Sequence, residues 1–149
     1  APDGSSVALD AALVRRFETE AMRPIQLREL PGKNFDAAHV LIVNLATVRA
    51  FALETGMPID PRRFRANLYV DGLEPEEELR WLGRVVRAGD AELEVVDRCE
   101  RCKVITMDPD TTEATPELLR VLVERHDERL GMYCRVVRPG RVSVGDFVG

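Results

Sequence analysis

The hydrophobic positions of this chain fall into short, irregularly spaced groups. Leu9, Leu13 and Phe17 recur every four residues, with Ala12 and Val14 beside them and Arg15, Arg16 and Glu18 between. That spacing predicts an amphipathic helix over Ser6 to Met22. Ser5 or Ser6 is placed to cap it and Pro24 to end it. Ile25 and Leu27 alternate with Gln26 and Arg28 as in a half-exposed strand, and Pro31-Gly32-Lys33-Asn34 has the composition of a turn. Val40 to Val43 predicts a short apolar strand. Asn44 suits the N-cap of a second helix carried by Leu45, Val48 and Ala52, and Gly56 followed by Pro58 suits its end.

From there the pattern turns to β formers. A strand is predicted near Arg65 to Val70, followed by a turn at Asp71-Gly72. Pro75 to Leu79 reads as one acidic helical turn, with Trp81 and Leu82 buried after it. Val85-Val86 is a short strand, and Ala88-Gly89-Asp90 turns the chain. Ala91, Leu93 and Val95 then alternate with Glu92 and Glu94, the clearest strand signal in the chain. Val104, Ile105 and Thr106 predict another strand. Thr115 as N-cap and Pro116 at the first helical position open a helix running to about Arg129, with Leu118, Val121 and Leu122 as its apolar face. Tyr133 to Val137 is a strand, Pro139-Gly140 a turn, and Arg141 to Val148 a last strand interrupted at Gly145-Asp146. There is no regular βαβ alternation. The expectation is an α+β domain, β-rich, built on a bent, largely antiparallel sheet or small β-barrel with two or three peripheral helices.

Composition narrows the class. The 149 residues are enough for about one domain with its own core, and 45% hydrophobic with 32% charged residues fits a globular protein. A net charge of −5 argues against a general nucleic-acid or membrane-surface binder. No apolar run approaches the roughly 18 residues that cross a bilayer. Ala1 to Ser6 lacks the basic and apolar regions of a signal peptide. Three cysteines cannot all close into disulfides, which leads to the expectation of a reducing, cytoplasmic setting. The chain has no initiator Met, as expected of a processed chain or a fragment.

The stretch richest in chemistry is Asp97 to Asp110. Cys99 and Cys102 have C-x-x-C spacing, with Arg98, Arg101 and Lys103 interleaved. Neighbouring cations favour a thiolate, the form that reacts and binds metal. A structural zinc site needs four ligands, and Cys134, His39 and His126 show no paired spacing. A thioredoxin-like pair opens a helix, whereas β-branched residues follow Cys102. Two buried cysteines acting as small hydrophobes remain an open reading. A second constellation is Arg62, Arg63 and Arg65 with Asn67. On a strand that runs through them, Arg63, Arg65 and Asn67 share one face, suited to a phosphate or polar heterocycle. A solvated edge with salt bridges to the acidic Glu74 to Glu78 run is the alternative. His39 and His126 stand alone, and no Ser-His-Asp signature, P-loop or G-x-G-x-x-G is present.

Four segments in order carry a resemblance. Arg63-Phe64-Arg65-Ala66-Asn67, Cys99-Glu100-Arg101-Cys102, Thr106-Met107-Asp108-Pro109-Asp110-Thr111, and Pro139-Gly140 with Val144-Gly145-Asp146 resemble the MOSC domain. That domain is found at the C-terminus of molybdenum cofactor sulfurases and in the mitochondrial amidoxime reducing component. Phe35 to Leu41 is similar to its entry into the central region. Residues 1–149 are therefore expected to form a single MOSC-like domain. The usual upstream segment, with a Lys-containing strand and a Gly-Asp-Arg motif, does not stand ahead of Phe35, and Thr112 stands where Gly usually follows the Asp-Pro-Asp-Thr run.

The resemblance implies a β-barrel-like fold that binds the molybdenum cofactor. Cys102 is the implied molybdenum ligand and catalytic thiolate. Arg65 and Asn67 are implied to face the pterin phosphate or substrate, assisted by Arg63, while Arg101 favours the ionised thiol. One implied function is a molybdenum-dependent oxidoreductase that reduces N-hydroxylated substrates with electrons from a partner protein. Alternatives are a sulfur-carrier or cofactor-delivery module using a Cys102 persulfide from a sulfur-donor protein, and a non-catalytic binding domain with inert cysteines.

Overall fold

A computed structural model describes residues 10–26 and 38–149. The chain divides into two compact units, Ala1–Asn34 and Phe35–Gly149. In the first, helix α1 spans Ala11–Ala21. Asp10 is its N-cap, its carboxylate accepting from the amides of Ala12 at 2.9 Å and Leu13 at 3.0 Å. The helix therefore starts later than the periodicity predicted. Ser5, Ser6, Leu27 and the turn at 31–34 lie outside the described residues.

The second unit is a curled five-stranded mixed sheet with two helices. Its elements are β1 (Val40–Asn44), α2 (Leu45–Thr55), β2 (Leu68–Val70), β3 (Val85–Ala88), β4 (Ala91–Glu100), α3 (Pro116–His126) and β5 (Arg129–Arg138). The strand order is β2-β1-β5-β4-β3. Only the β1–β2 pair is parallel, because α2 crosses between them; the other pairs are antiparallel. Asn44 caps α2 by accepting from the Ala46 amide, and Gly56 ends it in the left-handed conformation that glycine adopts without strain. Among the described residues no helix is long and apolar enough to cross a membrane.

Both faces of the sheet carry core. Leu41, Val43, Cys99 and Leu130 pack with Val48 and Phe51 of α2 and Leu118 and Leu122 of α3. Ile42, Leu93, Val95, Met132 and Cys134 pack on the opposite face, where Leu79 and Trp81 cover them. Two register shifts determine which side chains reach the helical face. Val95 pairs with Cys134 and Asp97 with Tyr133, so Val96 is an extra residue in β4. Arg98 pairs with Met132 and Glu100 with Arg129, so β5 has an extra residue around Gly131. Each bulge reverses the alternation beyond it. Cys99 therefore leaves the face of Val95, and Leu130 leaves that of Met132.

Several local expectations change. The strand at Arg65 to Val70 is shortened to Leu68–Val70, because Asp60 caps a 3-10 turn over Pro61–Phe64 and Arg65 then takes φ 51°. Val104-Ile105-Thr106 belongs to a second 3-10 turn, Lys103–Thr106, despite its β-branched residues. Ile105 is buried there in the core shared with α3, and that packing overrides β propensity. Arg141 to Val148 forms no strand; its one ladder contact is an isolated bridge from Val148 to Ala88. Leu82 is 49% exposed, whereas Trp81 packs on the sheet as expected.

A buried polar network ties β1 and α2 to the segment before β3. Glu78 is 1% exposed and accepts from Asn44 Nδ2 at 2.7 Å and Thr47 Oγ1 at 2.9 Å. Asn44 Nδ2 also donates to the Glu74 carbonyl, and the Glu76 amide donates to Thr47 Oγ1. Asn44→Ala removes both the helix cap and a donor to a buried carboxyl group. It is expected to lower unfolding free energy by about 2–4 kcal/mol, read as a shift of the urea midpoint.

Candidate functional site

The strand β4 ends at Glu100, and the chain turns through Arg101 and Cys102 into the 3-10 turn that begins at Lys103. This turn and the one at Pro61–Phe64 flank a cleft of about 340 Å³. Leu41, Arg63, Arg65, Cys99, Arg101, Cys102 and Tyr133 are among the residues that line it. A smaller hollow of about 290 Å³ adjoins it, sharing Arg63, Arg65 and Val104 and adding Met107, Asp108 and Thr112.

The cysteines differ in setting. Cys102 is exposed; Cys99 and Cys134 are buried, and all three are free thiols. Burial pushes the Cys99 thiol above its ordinary value, partly offset by the Arg101 charge and a hydrogen bond with Tyr133. Burial alone pushes Cys134 up to about 12. Cys134 lies in the opposite core, away from the cleft.

Arg101 is the structural centre of the site. Its side chain turns inward and the residue is 7% exposed. Nε donates to the Leu130 carbonyl at 2.7 Å and Nη1 to the Phe64 carbonyl at 2.9 Å. The guanidinium carbon lies 5.3 Å from the centroid of the Phe64 ring, a cation–π distance. Burial lowers its pKa, and Cys99 is the first group that opposes the shift. Nη2 is buried with no hydrogen-bond partner. Gly131, at φ 88°, makes this packing possible: a Cβ there would stand 2.9 Å from the Ile42 carbonyl oxygen and 3.0 Å from Arg101 Nη2.

The arginine row divides three ways. Arg63 donates to the Thr106 carbonyl at 2.8 Å and to Asp108 at 3.0 Å, anchoring the loop after the second 3-10 turn. The amides of Thr111 and Asp110 donate to Asp108, and with Arg63 they hold its carboxyl below the usual carboxylate range. Arg62 bridges Asp60 and Asp110, outside the main cleft. Arg65 is exposed and lines both hollows. Asn67 stands apart from them: its Oδ1 accepts from the Leu41 amide at 2.8 Å and its own amide donates to the Leu41 carbonyl at 2.9 Å. The single face predicted for Arg63, Arg65 and Asn67 thus breaks at Arg65.

His126 sits between two carboxylates, Glu54 at 2.8 Å and Glu76 at 3.4 Å, and His39 Nδ1 accepts from the Val136 amide. Among the described residues no cluster of three or more His, Cys, Asp or Glu is placed to hold a metal ion. Phe64, Tyr133 and Gly131 are the site residues that the sequence reading did not single out. A glycine inside an apolar β run is the signal that could have marked Gly131.

The MOSC domain model matches residues 31–149. Molybdenum cofactor sulfurase of Caenorhabditis briggsae is 33% identical over 121 residues, covering 78% of this chain and 16% of that protein. The Caenorhabditis elegans protein of the same name is 33% identical over 135 residues, covering 85% and 18%. The chain thus spans less than a fifth of the length of these relatives. The YuaD structure from Bacillus subtilis aligns with TM-score 0.61 and 26% identity, over 76% of this chain and 64% of that one. YiiM from Geobacillus stearothermophilus aligns with TM-score 0.57 and 20% identity, over 73% and 52%, a likeness of fold.

Two outcomes test this geometry. Thr112 holds φ 63°, a left-handed conformation costly for a β-branched residue. Thr112→Gly is expected to raise stability by about 0.5–1 kcal/mol in denaturant titrations, net of glycine's added unfolded-state entropy. Cys134 ionises near its ordinary 9.0 in the unfolded chain and at about 12 in the folded one. Its stabilising contribution is therefore complete below about 9 and is lost as pH rises towards about 12. Cys134→Ala should show a shallower loss of stability than the parent across that window, measured by thermal melts.

Proposed function

Because the chain belongs to the MOSC domain family, we propose that its cleft receives the molybdenum cofactor, with the Cys102 thiolate as molybdenum ligand. The observation that carries this reading is one exposed thiol on a cleft that Arg63, Arg65 and Arg101 also line. The donor set fits such a group. A metal that arrives with its own chelate needs a single soft protein ligand, and a thiolate is soft. The cofactor would supply two-electron redox chemistry and atom transfer at the metal.

The chain's own residues bind and orient. Arg65, exposed where the two hollows meet, offers its guanidinium to an anionic group. Arg63 acts by fixing the loop from Thr106 to Asp108 that walls the second hollow. Arg101 keeps a positive charge beside both thiols of the cleft while holding β5 and the Phe64 turn together. Asn67 acts at one remove, through its hold on the Leu41 backbone. With an electron-donor protein, reduction of N-hydroxylated compounds is the activity that the motif resemblance implies.

A second reading is sulfur carriage. It is favoured by the second thiol, Cys99, in the same cleft, and by the names of the relatives. Cys102 would attack a sulfane sulfur, displace the donor as a thiolate, and pass the outer sulfur to a client.

Expression in a host that makes the cofactor is expected to give near-stoichiometric molybdenum by elemental analysis and pterin by fluorescence. Cys102→Ala should lose both with an unchanged circular dichroism spectrum, and Arg65→Glu should weaken retention by roughly tenfold or more. Wild-type protein without molybdenum or pterin would rule out the first reading.

A further inference from the structure

Cys99 has no part in holding a metal through Cys102, yet it lines the same cleft. Its position is not what strand alternation dictates: it depends on the extra residue Val96, which turns Cys99 away from the face of Leu93 and Val95. The bulge delivers a second sulfur to the hollow where Cys102 is exposed. The buried Cys99 thiol feels the charge of the Arg101 guanidinium, which lies between the two cysteines in sequence. They are unequal in access. Cys99 is 2% exposed, whereas Cys102 is open to solvent. An external donor therefore meets Cys102 first.

We propose that Cys99 is the resolving thiol for a sulfur atom carried on Cys102, so that the domain releases sulfide rather than sulfane sulfur. This rests on the sulfur-carriage reading above. The step starts from a Cys102 persulfide and the Cys99 thiol. The Cys99 proton passes to the outer sulfur, and the Cys99 thiolate attacks the inner sulfur, Cys102 Sγ. A Cys99–Cys102 bond forms, the bond to the outer sulfur breaks, and hydrosulfide leaves with that proton. The outer sulfur is reduced by two electrons and the two cysteines are oxidised to a disulfide. A thiol reductant then restores the dithiol by exchange.

The geometry suits this order of events. Burial keeps Cys99 protonated at rest, so it does not compete with Cys102 for the donor. The Arg101 charge favours the thiolate that forms during the attack. Cys134 lies in the opposite core and has no access to either sulfur's cleft.

The test uses the full chain, reduced and then exposed to one equivalent of sodium polysulfide. Intact-mass analysis, peptide mapping and a sulfide assay follow the products. The wild type is expected to release sulfide and end with a Cys99–Cys102 bridge, after only a transient added sulfur on Cys102. Cys99→Ser and Cys99→Ala should both keep the added sulfur on Cys102 and release no sulfide beyond what loading displaces from the polysulfide, with the circular dichroism spectrum of the wild type. A wild-type persulfide as long-lived as that of the variants, with no bridge, overturns the proposal while leaving sulfur carriage standing. No added sulfur on Cys102 in any of the three proteins overturns sulfur carriage itself, and the proposal with it.

Discussion

The site depends on one buried cation. Arg101 leaves the end of β4 and places its guanidinium under the cleft, where two backbone carbonyls and the Phe64 ring receive it. Taking a charge out of water is costly, and charge-assisted hydrogen bonds offset that cost only where the geometry is good. Here one fork joins β5, the turn at Pro61–Phe64 and the C-x-x-C segment. The same charge favours an ionised thiol at Cys99. Structure and electrostatics are thus supplied by one side chain, and Gly131 leaves the space that it occupies.

The second constraint is register. A regular β4–β5 ladder would send Leu93, Val95 and Cys99 to one face. The bulges separate them, so Leu93 and Val95 stay in the core that Trp81 covers while Cys99 turns towards the helices. The added twist of a bulge is also a natural cause of the curl in this sheet. Family membership accords with the half-barrel architecture, and the likeness to YuaD extends over three quarters of this chain.

Much of the fold was legible where the cause is local. Asn44 and Gly56 bound α2, Pro116 opens α3 although Thr115 before it makes no side-chain cap bond, and the Ala91–Val95 alternation lies within β4, because caps, proline and alternation act over a few residues. What failed was also physical. Arg65 to Asn67 are rich enough in β context to suggest a strand, but the Asp60 cap starts a 3-10 turn that ends with Arg65 left-handed. Val104 to Thr106 are β-branched, but burial of Ile105 against α3 sets their conformation. In the site, the C-x-x-C spacing and the arginines were visible, and their division of labour was not. Arg63 and Arg101 donate to backbone carbonyls of distant residues, and a carbonyl leaves no mark in a sequence.

The spans of the Arg101 bonds bear on when the cleft can exist. They close loops of 29 and 37 residues, and closing such loops costs entropy that only the assembled core returns. An emerging chain displays its cysteines long before it has a cleft to display. The cleft that brings Cys99, Cys102 and the arginines together is therefore a property of the finished fold, and a partly folded chain holds only separate, ordinary thiols.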